Sequence, residues 1–488
     1  MIFKELKNQY KKIIGWGTTG AYEKYGRMYE KYMDYVIDSN PLKWGTGIGA
    51  LTIYSPEQLL SENSEDCVII IFSSFVEEIR ENIKVKGNFN VIAGSTIDYF
   101  CKKRIELYQK QELSLVFLNI NWNKVICCVS TMTSIVSVIG GENKFVTDQN
   151  LLLKAEGYDI LHLVPIQFYH SECEDEKIWI TYNEKTLGIY SLNEIVTYIH
   201  KIKHMIIHSP CYGVSLIRKL YDAMDLKYCL FYIHDFACVC SEYFLPVEGK
   251  DCFEELKRGC TGCKNETKRK KRFQEYEKLF YNNNVLLIAP SKIVADKVSI
   301  VYPEAHFEVI PHCVYDIVSV SRQINDKMKI AFVGAATKTK GYEEFKKLVC
   351  EFKNSYTFYC FGKCSDKDKI DGVEYVDIYM ERSENQLCML DAFKKYQIDM
   401  AYLGSTCCET YSYTYIEAFE SGAYVLTTEK SGNICESVKM NQNGYVAKDT
   451  DDLICFLKKD ALELKDILMK QSKIIVNKSN NLRFLDYM

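Results

Sequence analysis

Residues 407–438 read CCETYSYTYIEAFESGAYVLTTEKSGNICESV and carry the pattern that decides the fold. Glu409 and Glu417 stand eight residues apart, shortly after the apolar run 399–403, which is typical of a strand. Positions i and i+8 lie close to one face of a helix. A carboxylate at the mouth of a parallel sheet can accept hydrogen bonds from sugar or ribose hydroxyls. Because the chain holds 65 acidic residues, a solvated helix face remains the alternative.

Two segments carry groups suited to phosphate, one upstream of this stretch and one near its end. Upstream, a strand-like run ends at Gly334, and Lys340 follows before a helix, where its charge can offset a diphosphate. Downstream, Gly432-Asn433 lies in a turn of small residues at a helix start, which exposes backbone N–H groups. All of these pieces are expected at the carboxyl ends of strands in one doubly wound unit, where ligands bind in such sheets.

Strand-like and helical runs alternate along most of the chain, which predicts an α/β fold of parallel, doubly wound sheets. We expect three Rossmann-like units, of which the last two form a pair. The expected boundaries are a first module over 1–105, a second domain over 113–318, a third over 326–465, and a C-terminal helix over 466–488.

Composition and charge exclude several classes of protein. Of the 488 residues, 47% are hydrophobic and 26% charged, which is ordinary for a globular protein. A net charge of −4 offers no overall basic field for nucleic acid. The 21 cysteines are too sparse for a disulfide scaffold, and no apolar stretch follows the first charges, so no signal peptide is expected. We therefore expect a reduced, cytoplasmic protein that binds no nucleic acid.

The first unit carries its own glycine pattern. Gly15-x-Gly17-x-x-Gly20 lies between a strand-like and a helix-like stretch, and Asp38 ends the next strand-like run 18 residues later. In dinucleotide-binding units such glycines admit a pyrophosphate at a helix N-terminus, and the acid meets a ribose hydroxyl. The pattern indicates a nucleotide or NAD(P) site. The alternative is a tight strand–helix turn that binds nothing.

Three pieces of this unit, IIGWGTTGAYEKY, YVIDSNPLKWGTGIGALTIYSPEQL and DCVIIIFSSFVEEI, resemble a small Rossmann module at the start of bacterial sugar-modifying enzymes. The resemblance implies a nucleotide-type pocket but no particular reaction. One departure is that Ser39 separates Asp38 from Asn40, whereas the module has the Asn directly after the Asp.

The later part of the chain contains FVGAATKTKGYEEF, the stretch 407–438 and NQNGYV, in this order. As a set, these motifs resemble the donor half of the GT-B glycosyltransferases of family 4, also called group 1 glycosyl transferases. The resemblance extends from about residue 113 to the C-terminus. It implies that Glu409 contacts the transferred sugar and that Glu417 holds the nucleotide ribose. The groups implied at the diphosphate are Lys340, Gly334, Gly432 and Asn433.

The resemblance also implies a reaction. A sugar would move from a UDP-, GDP- or dTDP-linked donor to a glycan or lipid-linked acceptor in cell-surface polysaccharide assembly, with retention of configuration. Many members carry Arg directly after the Val-Gly pair, but this chain has Ala335. Since no Asp-x-Asp metal motif stands where a metal-dependent transferase needs one, Lys340 and helix N-termini are expected to stabilise the departing diphosphate.

Four residues of the second domain are further candidates. Gly140-Gly141 precedes a helix and resembles the glycine pair that brings the backbone to the donor phosphates, although by itself it is a turn. His234 follows the strand-like run 229–233 and is suited to hydrogen-bond a donor sugar hydroxyl; the alternative is a structural histidine satisfied by nearby backbone. His208 ends another strand-like run and is a second candidate.

A cysteine cluster follows His234. Cys260-x-x-Cys263 has the spacing of zinc ligands, and Cys240 and Cys252 supply two more thiols upstream. Four thiolates could hold a tetrahedral zinc; the alternative is a set of reduced thiols without metal.

The dense basic run 267–272 is followed by aromatic residues at roughly helical spacing. This pattern suits contact with anionic lipid head groups on the inner face of a membrane, where a lipid-linked acceptor would lie. A solvated helix end with its aromatic face on the core is the alternative.

Two other functions stay open at this point. One is a non-catalytic partner that binds a nucleotide-sugar or glycan, which the missing arginine at Ala335 supports. The other is a bifunctional chain whose first unit modifies the nucleotide-sugar, for which bound NAD would be evidence.

Overall fold

The computed structural model describes residues 2–73, 75–118, 120–130, 141–170, 173–208, 214–240, 245–247, 250–252, 266–379 and 387–488. The chain divides into two compact units. The first comprises residues 1–136 and 149–227, and the second comprises residues 137–148 and 228–488. This division differs from the expected one, because residues 1–105 share a unit with much of the expected second domain.

The first unit is built on a mixed sheet. Its strands are β1 (Lys12–Trp16), β2 (Tyr35–Ile37), β3 (Gly47–Ile48), β4 (Leu51–Tyr54), β5 (Cys67–Ile71), β6 (Asn90–Ala93), β7 (Val125–Val129), β8 (Asp159–His170), β9 (Cys173–Tyr182), β10 (Lys185–Tyr190) and β11 (His204–His208). They lie in the order β11-β7-β8-β6-β5-β1-β2-β4-β3, with β9 beside β8 and β10 beside β9. The buried strands β1 and β5 pair in parallel, as their continuous apolar runs predict.

One strand explains why the expected first boundary is absent. The largely apolar run 159–164 predicts a strand that ends near Val164, but β8 continues to His170 and pairs antiparallel with β6 through Val91 and Ile92. It also pairs in parallel with β7. The longer strand therefore joins the first module to the following segment in a single sheet.

Helices cover this sheet. They are α1 (Ile2–Gln9), α2 (Val76–Lys84), α3 (Gly94–Lys103), α4 (Leu113–Val116), α5 (Gly141–Ala155), α6 (Leu192–Ile199) and α7 (Val214–Asp222). Residues 141–148 of α5 belong to the second unit, and only residues 149–155 belong to the first. The helix-like stretch after Gly20 forms a π turn over Tyr22–Gly26 and a 3-10 helix over Arg27–Tyr32. Together with the helical residues 20 and 21, these segments form one helical stretch that begins at Gly20.

The second unit contains two parallel sheets within its described residues. Its strands are β12 (Tyr228–Tyr232), β13 (Pro246–Val247), β14 (Lys250–Asp251), β15 (Val285–Ala289), β16 (His306–Val309), β17 (Cys313–Ser319), β18 (Lys329–Val333), β19 (Thr357–Phe361), β20 (Val373–Val376), β21 (Met400–Tyr402), β22 (Tyr424–Thr428), β23 (Gly444–Ala447) and β24 (Lys473–Asn480). Strands β12, β15 and β16 pair in parallel. Six more form a parallel sheet in the order β20-β19-β18-β21-β22-β23.

The helices of the second unit are α8 (Glu266–Phe280), α9 (Lys292–Ser299), α10 (Tyr342–Phe352), α11 (Met389–Tyr396), α12 (Tyr413–Glu420), α13 (Asn433–Asn441), α14 (Thr450–Leu457) and α15 (Ala461–Lys470). The six-stranded sheet has a buried core on each face. On one face Phe332 of β18 packs against Tyr342 and Phe345 of α10, with ring centroids 5.2 and 5.3 Å away. The α/β, doubly wound character that the alternating pattern predicts is therefore confirmed for this sheet.

The expected C-terminal helix over 466–488 is wrong for most of its length. Helix α15 ends at Lys470, and β24 follows and pairs antiparallel with β17. The run Lys473-Ile-Ile-Val explains the strand, because β-branched residues fit a pleated surface better than a helix. A short 3-10 helix over Arg483–Tyr487 ends the chain.

None of the helices in the described ranges has both the length and the apolar character needed to span a bilayer.

Candidate functional site

Three loops of the second unit meet at the carboxyl edge of the six-stranded sheet. They follow β18, β21 and β22, which are neighbours in that sheet. Gly334 comes directly after β18 and Gly432 lies in the loop after β22. Because the strands are parallel, their carboxyl ends lie at the same edge, and the topology brings together residues that are almost 100 positions apart.

Lys340 and Glu409 form the centre of this edge. Lys340 ends the 3-10 turn Lys338–Lys340, and its Nζ lies 2.6 Å from Oε1 of Glu409. The hydroxyl of Ser405 donates to the same carboxylate oxygen at 2.6 Å. The Lys340 side chain is 38% exposed and that of Glu409 12% exposed. The lysine head group is therefore open to solvent at a point where a negatively charged ligand could approach.

Gly432 and Asn433 hold the backbone of the same glutamate. The N–H of Asn433 donates to the carbonyl of Glu409 at 2.9 Å. Gly432 has φ 60° and ψ −124°, and a Cβ there would lie 2.6 Å from both the N and the O of Glu409. Only glycine allows this approach without a shift of the loop. Helix α13 begins at Asn433, so its positive end also lies beside Glu409.

Glu417 lies in the middle of α12, one element after Glu409. The helix begins with a cap in which the Ser412 hydroxyl accepts from the N–H of Tyr415 at 3.1 Å. The Glu417 carboxylate is partly buried and makes no hydrogen bond or ion pair within the described ranges. Burial raises its pKa to about 7, although Lys478 and Lys144 act in the opposite direction. This carboxylate can still accept two hydrogen bonds.

His234 lies two residues beyond β12, and its carbonyl accepts a hydrogen bond from the Thr410 hydroxyl at 2.6 Å. Thr410 follows Glu409 directly, so this contact ties the two candidate catalytic residues to one another. The His234 ring lies 5.4 Å from the ring of Phe145 and 5.6 Å from that of His312. Burial lowers the pKa of His234 to about 3, so its imidazole is neutral near pH 7.

His312 is a residue that the sequence analysis does not single out. It lies between β16 and β17, 6% exposed, with its ring 4.1 Å from Phe145 and 4.2 Å from Tyr411. The only signal in the sequence is a histidine after the Val-Ile-Pro run, which by itself points to no role. Its importance depends on tertiary neighbours from three separate segments.

The glycine pair Gly140-Gly141 and His208 are the other candidates of the expected second domain. Gly141 begins α5, and a Cβ there would lie 3.2 Å from the ring of Tyr413. Gly140 lies outside the described residues. His208 ends β11 in the first unit, where it is fully buried.

In the first unit, protein groups fill the space beside Gly17 and donate hydrogen bonds to the Asp38 carboxylate. Gly17 has φ +100°, and a Cβ there would lie 2.7 Å from the carbonyl oxygen of Phe72. The Asp38 carboxylate accepts hydrogen bonds from Thr18, from Nζ of Lys43 at 3.0 Å and from the N–H of Asn40 at 2.8 Å. Burial acts to raise the pKa of Asp38, but these bonds together hold it below its ordinary value.

For this loop, these contacts favour the alternative of a tight strand–helix turn rather than a nucleotide site. Gly15 is buried within β1, and Gly20 lies at an exposed position where a Cβ would meet nothing. The helical segment that begins at Gly20 passes into a π turn over Tyr22–Gly26 and a 3-10 helix over Arg27–Tyr32. A nucleotide or NAD(P) site here stays a prediction without structural support.

The zinc prediction falls partly on residues that the structure does not describe. Cys240 is buried and Cys252 half-buried, while Cys260 and Cys263 lie outside the described residues. Across the described ranges, no group of three or more His, Cys, Asp or Glu side chains is arranged to hold a metal ion. The zinc site therefore stays a prediction.

The basic run lies on α8, and one of its members points inward. The guanidinium of Arg272 donates to the carbonyl of Ala237 at 2.8 Å. Tyr276 and Phe280 of the same helix are buried, which agrees with the helix-end alternative for its aromatic residues. Contact of this helix with lipid stays a prediction.

Comparison with known proteins finds no matching protein-family model and no matching curated protein. Several solved structures are similar. Sucrose-phosphate synthase from Thermosynechococcus elongatus is 12% identical with a TM-score of 0.47, covering 72% of this chain and 92% of its own. HepE of Anabaena in complex with UDP is 11% identical with a TM-score of 0.45, covering 71% of this chain and 92% of its own.

A third similar structure is that of WaaG, described as a glycosyltransferase involved in lipopolysaccharide biosynthesis. It is 11% identical with a TM-score of 0.41, and the match covers 71% of this chain and 93% of WaaG. The solved structures to which this chain is similar thus include glycosyltransferases, the class that its sequence motifs resemble.

Proposed function

We propose that this protein is a glycosyltransferase that moves a sugar from a nucleotide-sugar donor to a glycan or lipid-linked acceptor. One observation carries the proposal. Lys340, Glu409 and the Gly432-Asn433 turn converge at the carboxyl edge of a parallel sheet, and the Glu417 carboxylate, which has no hydrogen bond or ion pair within the described residues, lies on the helix that follows Glu409. This arrangement offers a cation and a helix N-terminus for a diphosphate, and carboxylates for hydroxyls.

The donor diphosphate binds at Lys340 and the start of α13. The ammonium group of Lys340 exchanges its ion pair with Glu409 for the phosphate oxygens, and the N-terminal dipole of α13 adds positive potential. Since Ala335 supplies no charge, these two groups stabilise the diphosphate as it leaves, and we propose that they do so without a divalent cation.

Glu417 binds the two ribose hydroxyls of the nucleotide. A carboxylate that is partly buried and has no other partner gains two hydrogen bonds when the diol arrives. The charged form accepts both bonds, so nucleotide binding weakens as the pH falls below about 7, where this carboxyl takes up a proton.

Glu409 and His234 act at the transferred sugar. Once Lys340 turns to the diphosphate, the Glu409 carboxylate is available to hydroxyls of the sugar, and the neutral His234 can donate one further hydrogen bond. The bond between the anomeric carbon and the diphosphate oxygen breaks with its electron pair on that oxygen, the acceptor hydroxyl oxygen bonds to the carbon, and the hydroxyl proton passes to the departing diphosphate. We propose retention of configuration and a role in cell-surface polysaccharide assembly from the motif resemblance.

The test is a thermal-shift screen of the full chain against UDP, GDP, dTDP and their glucose or mannose derivatives, with Mg²⁺ or with EDTA. A ligand that binds only the folded chain raises the melting temperature by mass action. We expect one nucleotide series to give a shift that EDTA leaves unchanged and that Glu417→Gln abolishes. Glu429→Gln, which changes an exposed carboxylate beyond β22, is the matched control.

Turnover separates catalysis from binding. Release of free nucleotide from the donor that gives the shift, measured with a mixture of bacterial glycan acceptors, is expected for the wild-type chain. A shift without turnover would favour the non-catalytic binding partner, for which the uncharged Ala335 is the structural argument. No shift with any nucleotide in a folded sample would contradict the proposed function.

A further inference from the structure

His312 has an unusual environment within the second unit. Its side chain is buried, with 6% of the residue exposed, and neither ring nitrogen meets a hydrogen-bond partner in the described part of the chain. A buried polar group without a partner is costly, since it has lost its hydrogen bonds to water and gained none. Such groups are rare in folded proteins and commonly mark a site where a ligand completes the hydrogen bonds.

The rings around His312 come from the segments that carry the candidate catalytic residues. Tyr411, two positions after Glu409, lies 4.2 Å away, and Tyr413 lies 5.7 Å away. His234 lies 5.6 Å away on another side. Phe145 of α5 stacks on the imidazole at 4.1 Å. His312 thus lies beside His234 and beside the segment that directly follows Glu409.

Neighbouring contacts fix this position. The Tyr411 hydroxyl lies 3.0 Å from Sγ of Cys313, and the N–H of Asn481 donates to the carbonyl of His312 at 3.2 Å. Thr410 is bonded on both sides, to the carbonyl of His234 through its hydroxyl and to the hydroxyl of Ser291 through its carbonyl. Hydrogen bonds therefore hold the residues that surround the imidazole in place.

We propose that His312 is a sugar-binding residue that hydrogen-bonds hydroxyl groups of the hexose carried by the donor. A neutral imidazole has one N–H donor and one acceptor nitrogen, and a sugar hydroxyl can both accept and donate. Burial holds the pKa of His312 well below its ordinary value, and His234 lowers it further, so the ring carries no positive charge to attract a phosphate. Hydroxyls suit this site better than phosphate oxygens. The inference rests on the proposed function, and it assigns sugar recognition to a residue outside the motif set.

The experiment compares the wild-type chain with His312→Phe, which keeps an aromatic ring and removes both nitrogens. Thermal shifts are measured with each free nucleotide and with its hexose derivative. We expect the variant to keep the shift from the free nucleotide and to bind the nucleotide-sugar about tenfold more weakly, because one or two hydrogen bonds are lost. His306→Phe changes an exposed histidine on β16 and is the matched control.

A second readout excludes a merely structural role. If the nitrogens have no partner in the ligand-free chain, His312→Phe should melt at or above the wild-type temperature, and His312→Gln, which restores a donor and an acceptor, should recover part of the sugar affinity. A variant that binds nucleotide-sugars as the wild type does overturns the inference. A ligand-free His312→Phe that melts well below the wild type also overturns it, because the nitrogens then stabilise the protein itself. Absence of any shift in the wild type contradicts the proposed function instead.

Discussion

Each unit has glycine-containing loops that follow parallel strands and an ion pair of a lysine with a carboxylate beside them. The groups that surround the two ion pairs differ. In the first unit, Lys43 and Asp38 lie 3.0 Å apart, and the carboxylate is further closed by Thr18 and a backbone N–H. In the second unit, Lys340 and Glu409 lie 2.6 Å apart, with an α-helix beginning at the same point. The ion pair alone therefore does not mark a ligand site.

The two units differ in whether a carboxylate near the loop lacks a hydrogen-bond partner within the described residues. In the first unit, the Asp38 carboxylate already accepts hydrogen bonds from Thr18, Lys43 and the N–H of Asn40. The second adds α13 and the unpaired Glu417 on α12. A loop that has satisfied its own polar groups gains little from a ligand, whereas a loop with an open carboxylate and helix end gains new hydrogen bonds.

The largest expected effect comes from the carboxylate at the second loop. Glu409→Gln should lower the rate of sugar transfer about a hundredfold or more, because a neutral amide loses the charge-assisted hydrogen bonds by which the carboxylate holds the hydroxyls of the transferred sugar. Nucleotide affinity should change little. The measurement is turnover at saturating donor. Glu436→Gln, on the same edge in α13, is the control, and equal losses in the two variants would contradict the special role of Glu409.

The next effect compares the two glycines. Gly432→Ala places a methyl group 2.6 Å from the Glu409 backbone, while Gly17→Ala places one 2.7 Å from the Phe72 carbonyl. Each substitution should cost about 1–3 kcal/mol of unfolding free energy, because both backbones are strained for alanine. Only Gly432→Ala should also abolish the thermal shift from nucleotide. Loss of that shift in Gly17→Ala would show that the first loop takes part in donor binding.

The two lysines give a smaller effect. Lys340→Ala should weaken nucleotide-diphosphate binding about tenfold, because it removes one charge-assisted hydrogen bond. Lys338→Ala, two residues earlier in the same turn, is the matched control.

Lys43→Ala should leave the nucleotide affinity as it is and lower the melting temperature by about 2 °C, because Asp38 loses a partner. The measurement is a titration of Lys340→Ala and Lys43→Ala with the nucleotide that raises the melting temperature of the wild-type chain. Equal losses of affinity would remove the distinction between the loops.

The smallest effect is a pH dependence at Glu417. Its pKa is raised by burial to about 7 in the fold, against an ordinary value near 4.5. The folded chain thus binds an extra proton between these values, and the stability from this group is present below pH 4.5 and lost as the pH rises through 7. Glu417→Gln should therefore raise the melting temperature by about 2 °C at pH 8 and have little effect at pH 5. A pH-independent difference would contradict burial of the charged form.

The sequence was a good guide to the donor-side elements. The strands before Gly334 and Glu409 lie where continuous apolar runs predict them, because a strand buried on both faces must be apolar throughout. The sequence was a poor guide to the C-terminus, where β24 replaces an expected helix, and to β8, which extends past its expected end. Both strands owe their length to a partner strand elsewhere in the chain, and no local pattern reveals that partner.

The candidate site divides in the same way. The motif order by itself determined that Lys340, Glu409 and Gly432-Asn433 lie at one edge of the sheet, because parallel strands place their carboxyl ends together. Only the tertiary structure decided that the Asp38 carboxylate accepts hydrogen bonds from Lys43 and Thr18, and that the ring nitrogens of His312 meet no partner among the residues that the structure describes. The physical reason is that a side chain's partners depend on distances between segments far apart in sequence, whereas the edge on which it lies depends only on the order of strands and helices.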